Sequence, residues 1–397
     1  MCDFKMNLPS DVAFILDRMN KSGFSAHVVG GSVRDSLIGR ELGDFDITTN
    51  ALPHETKEVF KDMRTVDTGI KHGTVTLVLN GVPYEITTYR VDGDYKDNRH
   101  PESVTFTSRL EEDLARRDFT VNAMAYSPED GLSDPFGGRA DAALRVIRAV
   151  GDPYVRFDED ALRILRALRF ASVLGFEIED ATSRAVFDLA DRLTSISKER
   201  VYTELKKLIM GRDAIRILTS YSSVIALSLS GVMIEKAPEL AAFAKADYYT
   251  RLASLFYLNS QHPAESAEQA LAELKSDKLT RTHTSSVLSC YDRLDFVDRR
   301  SVLMHLYECS ADITEGALRL GILLGRFSEA EERLYREALA SGAAYKISHL
   351  DVRGGDLVAL GYGGEAIGEA LDKLLLAVIN GEVKNEKTAL LAFVKGE

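Results

Sequence analysis

The sequence predicts an α+β protein, a head of strands and helices followed by an all-helical body. Three observations carry that prediction. Over roughly the first 150 residues, short β-type runs alternate with glycine and turn signals. Beyond them, apolar residues recur at steps of three and four almost throughout, which is the helical period. Finally, 397 residues, 45% apolar and 28% charged, exceed one ordinary domain and supply enough apolar material for a real core.

The head opens with a helical pattern over 11–19. Residues 26–29 (AHVV) are mostly apolar and end at Gly30-Gly31, a strand running into a turn. Helical patterns follow over 32–38 and over 54–60, the latter behind Pro53, whose fixed φ suits a first helical turn. Residues 75–79 alternate Val/Leu with Thr and then meet Asn80-Gly81, a strong hairpin signal. The returning strand covers 84–89. Residues 134–141 (DPFGGRAD) are turn-rich and fit a hinge. Helices are then expected over 159–173, 181–193, 198–210, 267–275, 328–339 and 365–379. The domains expected are a head over 1–150, a helical neck over 151–215, a body over 216–320 and a tail over 321–397.

Lysine and arginine total 49 against 61 acids, a net charge of −12. That excludes a polybasic binder, so any nucleic-acid site must be a local basic patch. Three cysteines (Cys2, Cys290, Cys309) are too few, and odd, for a disulfide framework, and none forms the C-x-x-C of a structural zinc site. The N-terminus lacks the apolar stretch of a signal peptide. The longest apolar stretch, 224–234, is too short to span a bilayer. A cytoplasmic protein without a membrane partner is expected.

Four clusters can carry chemistry. The run 28–35 (VVGGSVRD) would present free backbone N–H groups and Arg34 to an anion, although a Gly-Gly turn by itself is weak evidence. In 43–51 (GDFDITTNA), strand periodicity puts Asp44 and Asp46 on one face, within reach of a hard cation. A solvated edge strand explains that pair equally well. Glu85, on the strand after the hairpin, could bring a third carboxylate to that face or lie on the surface. The adjacent arginines of 114–124 (LARRDFTVNAM) suit a triphosphate or a charged helix start. In 157–169 (FDEDALRILRALR), Asp158 reads as an N-cap. Asp160 and Arg163 are three apart, and Arg166 and Arg169 extend the stripe. A solvated ion pair and a ligand groove both fit that spacing.

Taken together, G-G-x-V-R-D, D-x-D, R-R-D-F-x-x-N-A and E-D-x-x-R, in that order, resemble the class II tRNA nucleotidyltransferases and their bacterial poly(A) polymerase relatives, most of all the compact bacterial CCA-adding members. The resemblance covers about the first 210 residues. It implies a nucleotidyltransferase head with a mixed β-sheet and flanking helices. It also implies that Asp44 and Asp46 bind catalytic Mg2+, with Glu85 as a third catalytic carboxylate. Gly31, Arg34 and Arg117 would hold the nucleotide. Asp160 and Arg163 would read the incoming base, with Arg166 and Arg169 completing that site. The run 197–205 (SKERVYTEL) resembles the family's last motif, which braces the base-reading helix. The segment 92–104 resembles a mobile loop needed for the final adenosine.

The implied reaction adds C, C and A to the 3′ end of tRNA from CTP and ATP, without a nucleic-acid template, by two-metal catalysis with release of pyrophosphate. The implied partners are the tRNA acceptor arm, ATP and CTP, with a homodimer as one open assembly. The Asp160/Arg163 chemistry makes independent sense. Cytosine and adenine both present an amino donor beside a ring-nitrogen acceptor, whereas uracil and guanine present the reverse order.

Rival readings remain on sequence. A poly(A) polymerase shares these motifs but usually carries a basic stretch before the aspartates and a basic tail. Here that stretch is 39–43 (GRELG). Enzymes adding only CC or only A, a non-catalytic RNA-binding helical protein and a small-molecule nucleotidyltransferase are the others. No His-Asp pair occurs among the eight histidines, so a phosphohydrolase activity is not expected.

Overall fold

The computed structural model describes residues 4–93 and 104–396. Most of the segment 92–104, expected to form a loop, therefore lies outside the described residues. The chain folds as two compact units, Met1–Gly231 and Val232–Glu397.

Unit 1 is built on a seven-stranded sheet in the order β3-β4-β5-β2-β1-β8-β9. Its strands are β1 (Ala26–Val29), β2 (Asp46–Thr49), β3 (Arg64–Gly69), β4 (Thr74–Leu79), β5 (Val82–Thr88), β8 (Ala125–Ser127) and β9 (Gly131–Ser133), while β6 (Arg90–Asp92) and β7 (Val104–Phe106) form a separate pair. The β2–β5 pair is parallel and the other pairs of the large sheet are antiparallel, so the sheet is mixed, as the resemblance implied. The β4–β5 turn has positive φ at both Asn80 (52°) and Gly81 (82°), the geometry that makes Asn-Gly a hairpin dipeptide.

Helices α1 (Ser10–Lys21), α2 (Gly31–Leu37) and α3 (Pro53–Val59) flank the sheet. Ile15, Leu16 and Met19 of α1 pack with Val28, Ile47, Leu77 and Ile86 from the central strands. Phe45 joins that core. The face of β2 alternates accordingly: Phe45 and Ile47 turn inward, leaving Asp46 on the other side. Helices α4 (Leu110–Ala115) and α5 (Gly138–Leu144) complete the head.

The expected helix over 159–173 is two helices. Helix α6 (Pro153–Glu159) starts at Pro153, with Asp152 as its cap accepting from Tyr154 N, and α7 (Leu162–Leu174) follows. Asp158 is therefore inside α6 and is not an N-cap. The chain turns extended at Asp160 (φ −144°, ψ 103°), whose Oδ1 accepts from Leu162 N at 3.0 Å. The run of acids hid the break, because Asp158 and Asp160 are both credible caps by type. Helices α8 (Asp180–Asp188), α9 (Lys198–Ile209), α10 (Ala214–Ser220) and α11 (Ser222–Ala226) finish the unit, with α9 packed along α7. A short parallel pair, β10 (Val146–Ile147) and β11 (Glu177–Ile178), fastens the end of the head to the segment after α7.

Unit 2 is helical: α12 (Leu240–Lys245), α13 (Tyr248–Asn259), α14 (Pro263–Glu273), α15 (Lys278–Tyr291), α16 (Arg299–Cys309), α17 (Ala311–Leu323), α18 (Glu329–Ala340), α19 (Gly354–Val358), α20 (Glu365–Asn380) and α21 (Lys387–Lys395). Asp247, Asp277, Asp298 and Ser328 cap their helices by accepting backbone N–H bonds. The boundaries expected at 215 and 320 fall inside α10 and α17, and the head and neck form one unit. Helical periodicity continues unbroken across these positions, so it offers no mark of where one packed body ends. Among the described residues no helix is long and apolar enough to cross a membrane.

Candidate active site: an arginine-lined cleft

A cleft of about 440 Å³ in unit 1 is lined by Gly30, Gly31, Arg34, Asp46, Arg116, Arg117, Asp118, Asn122, Asp160, Leu162, Arg163, Arg166, Phe170 and Arg200. Six arginines face three aspartates. The local basic patch that an acidic protein needs for a polyanionic ligand is here.

Its floor is the β1-to-α2 turn. Gly30 has φ +80°, a conformation costly for a residue with a Cβ, and an added Cβ would stand 3.4 Å from Arg117 Nη1. Arg34, buried one turn inside α2, donates to both oxygens of Asp35 at 3.0 Å and to Asn122 Oδ1 at 2.6 Å. Its guanidinium also lies over the Phe170 ring, 5.4 Å from the centroid.

Asp46 opens β2 opposite Val29. Burial raises its pKa, Arg117 opposes that rise and neighbouring Asp44 adds to it, so Asp44 and Asp46 are electrostatic neighbours as the D-x-D spacing predicts. Asp44 lies just before the strand and outside the cleft lining. Glu85 sits on β5, one residue before Ile86, which registers with Ile47. Glu85 is thus beside Asp46 on the same sheet face, and it too is outside the cleft lining. Among the described residues no group of three or more His, Cys, Asp or Glu is arranged to hold a metal ion. The donor set nevertheless fits a small hard cation: adjacent carboxylates supply oxygen ligands whose repulsion a cation relieves.

Arg116 and Arg117 follow α4 and share the fully buried Asp113, at 2.8 and 3.3 Å. Burial pushes the Asp113 carboxyl up, yet the two guanidiniums outweigh it and hold its pKa below the usual value. Arg117 Nε is buried with no hydrogen-bond partner among the described residues, a donor available to a ligand. Asp118 is also buried; against the penalty of burial, Arg166, Arg163 and Asn122 bring its carboxyl down to about 2. Arg166 meets it at 2.5 Å.

Asp160 and Arg163 do not form the ion pair that their spacing also allows. Asp160 pairs with Arg200 at 2.6 Å, and Arg163 pairs with Glu159 at 2.6 Å. The extended backbone at Asp160 breaks the helical repeat that an i,i+3 pair needs. Both side chains still face the one cleft. Arg169 is outside the cleft lining; its guanidinium lies 3.8 Å from the Phe170 centroid and is bonded to Glu204 of α9. The run 197–205 thus supplies Arg200 and Glu204, both against α7 or its entry. Asp113, Asp118, Asn122, Phe170 and Arg200 had no role assigned from sequence. Asp118, Asn122 and Arg200 lie within runs already singled out, but nothing there marks them as partners of distant arginines.

Residues 26–148 match the family described as the poly A polymerase head domain. Residues 175–221 match the probable RNA and SrmB-binding site of polymerase A, and 248–394 match a putative tRNA nucleotidyltransferase domain 2. A CCA-adding enzyme of Leuconostoc mesenteroides is 36% identical over 391 residues, spanning 97% of this chain and 96% of its own length. The chain belongs to the CCA-adding enzyme family. A second member, from Geobacillus stearothermophilus, is 38% identical over 96% of this chain and 95% of its own. Among solved structures, the Bacillus stearothermophilus CCA-adding enzyme in complex with CTP superposes with a TM-score of 0.82 at 32% identity, covering 97% of this chain and 96% of that one. The Thermotoga maritima CCA-adding enzyme complexed with tRNA shares the fold, with a TM-score of 0.68 at 23% identity.

Proposed function

We propose that this chain adds C, C and A in turn to the 3′ end of tRNA, from CTP and ATP with release of pyrophosphate and without a nucleic-acid template. One observation carries the reading: a single cleft is lined by Asp46, by triphosphate-competent Arg34 and Arg117, and by the Asp160/Arg163 pair. Membership of the CCA-adding enzyme family supports it.

Arg34 and Arg117 grip the triphosphate through charge-assisted hydrogen bonds. Asp160 accepts from the exocyclic amino group of cytosine or adenine, and Arg163 donates to the adjacent ring nitrogen. Uracil and guanine would set acceptor against acceptor and donor against donor, leaving polar groups unpaired. Gly31 keeps the backbone side of the cleft open, and Arg166 and Arg169 hold the base-reading helix in place. Asp44 and Asp46, with Glu85 on the adjoining strand, would hold Mg2+, which when bound stabilises the charge that develops on the phosphate and lowers the pKa of the attacking 3′-hydroxyl. Residues 248–394 would grip the acceptor arm by shape and backbone contacts. With tRNA as substrate, the protein works in the cytoplasm.

The test is incubation with labelled CTP and ATP and a tRNA lacking its 3′ end. Two C additions, one A and then arrest are expected. Long A tails would assign a poly(A) polymerase, addition stopping at CC or requiring it would assign a partial enzyme, and absence of transfer would overturn the reading.

A further inference from the structure

The cleft contains no cysteine, yet two cysteines meet in unit 2. Cys290 sits in the last turn of α15, and Cys309 closes α16. The Cys290 thiol is hydrogen-bonded to Cys309. Arg293, just past α15, holds the pair from one side. Its backbone N–H donates to the Cys290 carbonyl at 3.0 Å, its Nε to the Ser289 carbonyl at 3.3 Å and its Nη2 to Cys309 Sγ at 3.7 Å. The two thiols differ in access: Cys290 is buried and Cys309 is half-buried. Burial, and after it the Cys309 contact, push the Cys290 thiol well above its ordinary range, so alone it is inert toward an oxidant in solution. Cys309 can be reached from solvent, and a guanidinium donor stands at its sulfur to meet the negative charge borne during reaction.

We propose that Cys290 and Cys309 are a peroxide-responsive thiol pair that closes to a reversible disulfide between α15 and α16. The oxidant is a hydroperoxide, in the simplest case hydrogen peroxide. Cys309 Sγ attacks one peroxide oxygen; the S–O bond forms as the O–O bond breaks, and the departing hydroxide takes the thiol proton and leaves as water. The Cys290 sulfur then attacks Cys309; the S–S bond forms, the S–O bond breaks, and the released hydroxide leaves with the Cys290 proton as a second water. Two thiols lose two electrons, and one peroxide is reduced to two waters. Contact between the residues makes the second step intramolecular, which offsets the weak nucleophilicity of a buried, protonated thiol. A dithiol reductant reopens the bridge by exchange. The bridge closes a loop of roughly 20 residues and so restricts the separation of the two helix ends. It is one switchable link, not a structural framework, and it does not depend on the reaction in the arginine-lined cleft.

The experiment uses the full-length chain carrying Cys2→Ser, so that the pair holds its only thiols. The protein is treated with a small molar excess of hydrogen peroxide at neutral pH, remaining thiols are blocked with N-ethylmaleimide, and the intact mass is read. The expected product is a single chain lighter by two hydrogens that takes up no N-ethylmaleimide. It yields a proteolytic peptide pair joined through residues 290 and 309, and it regains both thiols in dithiothreitol. Hydrogen exchange of the α15 and α16 amides slows in the oxidised form by roughly tenfold to a hundredfold. In Cys290→Ser, Cys309 stops at the sulfenic acid and is trapped by dimedone, whereas in Cys309→Ser the Cys290 thiol stays reduced. Arg293→Met slows closure by roughly tenfold, the loss of one charge-assisted contact. Two thiols still free after peroxide, a bridge between two chains in place of the internal one, or undiminished oxidation of Cys290 in Cys309→Ser would overturn the proposal. The mass measurement needs no substitution in the pair, so it decides even where a variant unfolds. None of these readouts involves nucleotide transfer, so their failure is distinct from failure of the CCA-adding reading.

Discussion

Asp118→Asn tests the electrostatic frame of the cleft most directly. The carboxylate is buried against Arg166 at 2.5 Å and accepts from Phe119 N at 2.8 Å and Asn122 Nδ2 at 3.2 Å. These partners bring its pKa from 3.8 to about 2. At about 1.4 kcal/mol per unit, the linkage amounts to about 2 kcal/mol. Because the folded-state pKa is the lower one, that stabilisation is complete above about pH 4 and is lost as pH falls toward 2. The amide keeps the shape and removes the charge, leaving Glu204, at 3.9 Å, as the ion-pair partner of Arg166 among the described residues. Breaking a buried pair costs about 3–5 kcal/mol; Arg166 is about one-third exposed, so about 2–3 kcal/mol is expected here. The assay is urea-dependent hydrogen exchange of the α7 amides at about pH 7, 4 and 3. The gap between wild type and variant should be widest at neutral pH and shrink at the acidic end. A gap below about 0.5 kcal/mol at pH 7, or one independent of pH, refutes the assignment of Asp118 as the ionised anchor of Arg166.

Three further outcomes are expected. Asp46→Ala should cut transfer of both C and A by about 10³-fold or more, the several kcal/mol a metal-binding carboxylate supports, while CTP binding measured by calorimetry partly survives. Asp160→Ala combined with Arg163→Ala should relax the preference for C and A over U and G before it destroys chemistry, measured by single-nucleotide incorporation; unaltered preference would reduce the pair to scaffold. Gly138→Ala should destabilise unit 1 by about 2–3 kcal/mol, seen as a lowered Tm, because its Cβ would overlap the Thr120 carbonyl oxygen and stand 2.8 Å from its carbon and 2.9 Å from Met124 Cγ.

Local signals in the sequence were strong where a residue type has one use. The strand at residues 26–29 matches β1 because four apolar-rich residues meet a glycine pair that the turn requires. Asn80-Gly81 became a hairpin because both residues tolerate positive φ. Asp46 turns away from the core because Phe45 and Ile47 are drawn into it, and Asp44 is its electrostatic neighbour. Prediction failed where one residue type has several uses. Asp158 and Asp160 could each cap a helix by type, and only the folded chain shows that Asp160 accepts from Leu162 N at the start of α7. The same ambiguity hid Arg200, whose spacing from Asp160 is 40 residues, beyond any helical or strand repeat. Asp113 and Asp118 were unreadable for a related reason: a carboxylate in a charged run looks solvated until its arginines are known to converge on it.

The basic cleft carries its own acids. Every arginine of the cleft is paired with a carboxylate: Arg34 with Asp35, Arg116 and Arg117 with Asp113, Arg163 with Glu159, Arg166 with Asp118 and Arg200 with Asp160. Six guanidiniums crowded without such partners would repel one another and search many rotamers, and a polyphosphate would have to order them on arrival. Held by these partners, they lose that freedom during folding, so less ordering entropy remains to oppose binding. The acids therefore reduce the net field of the cleft but fix the direction of its donors. Selection between nucleobases that differ by the order of one donor and one acceptor depends on direction, not on total charge. An acidic protein can thus present a basic cleft whose donors point in directions fixed by the carboxylates paired with them.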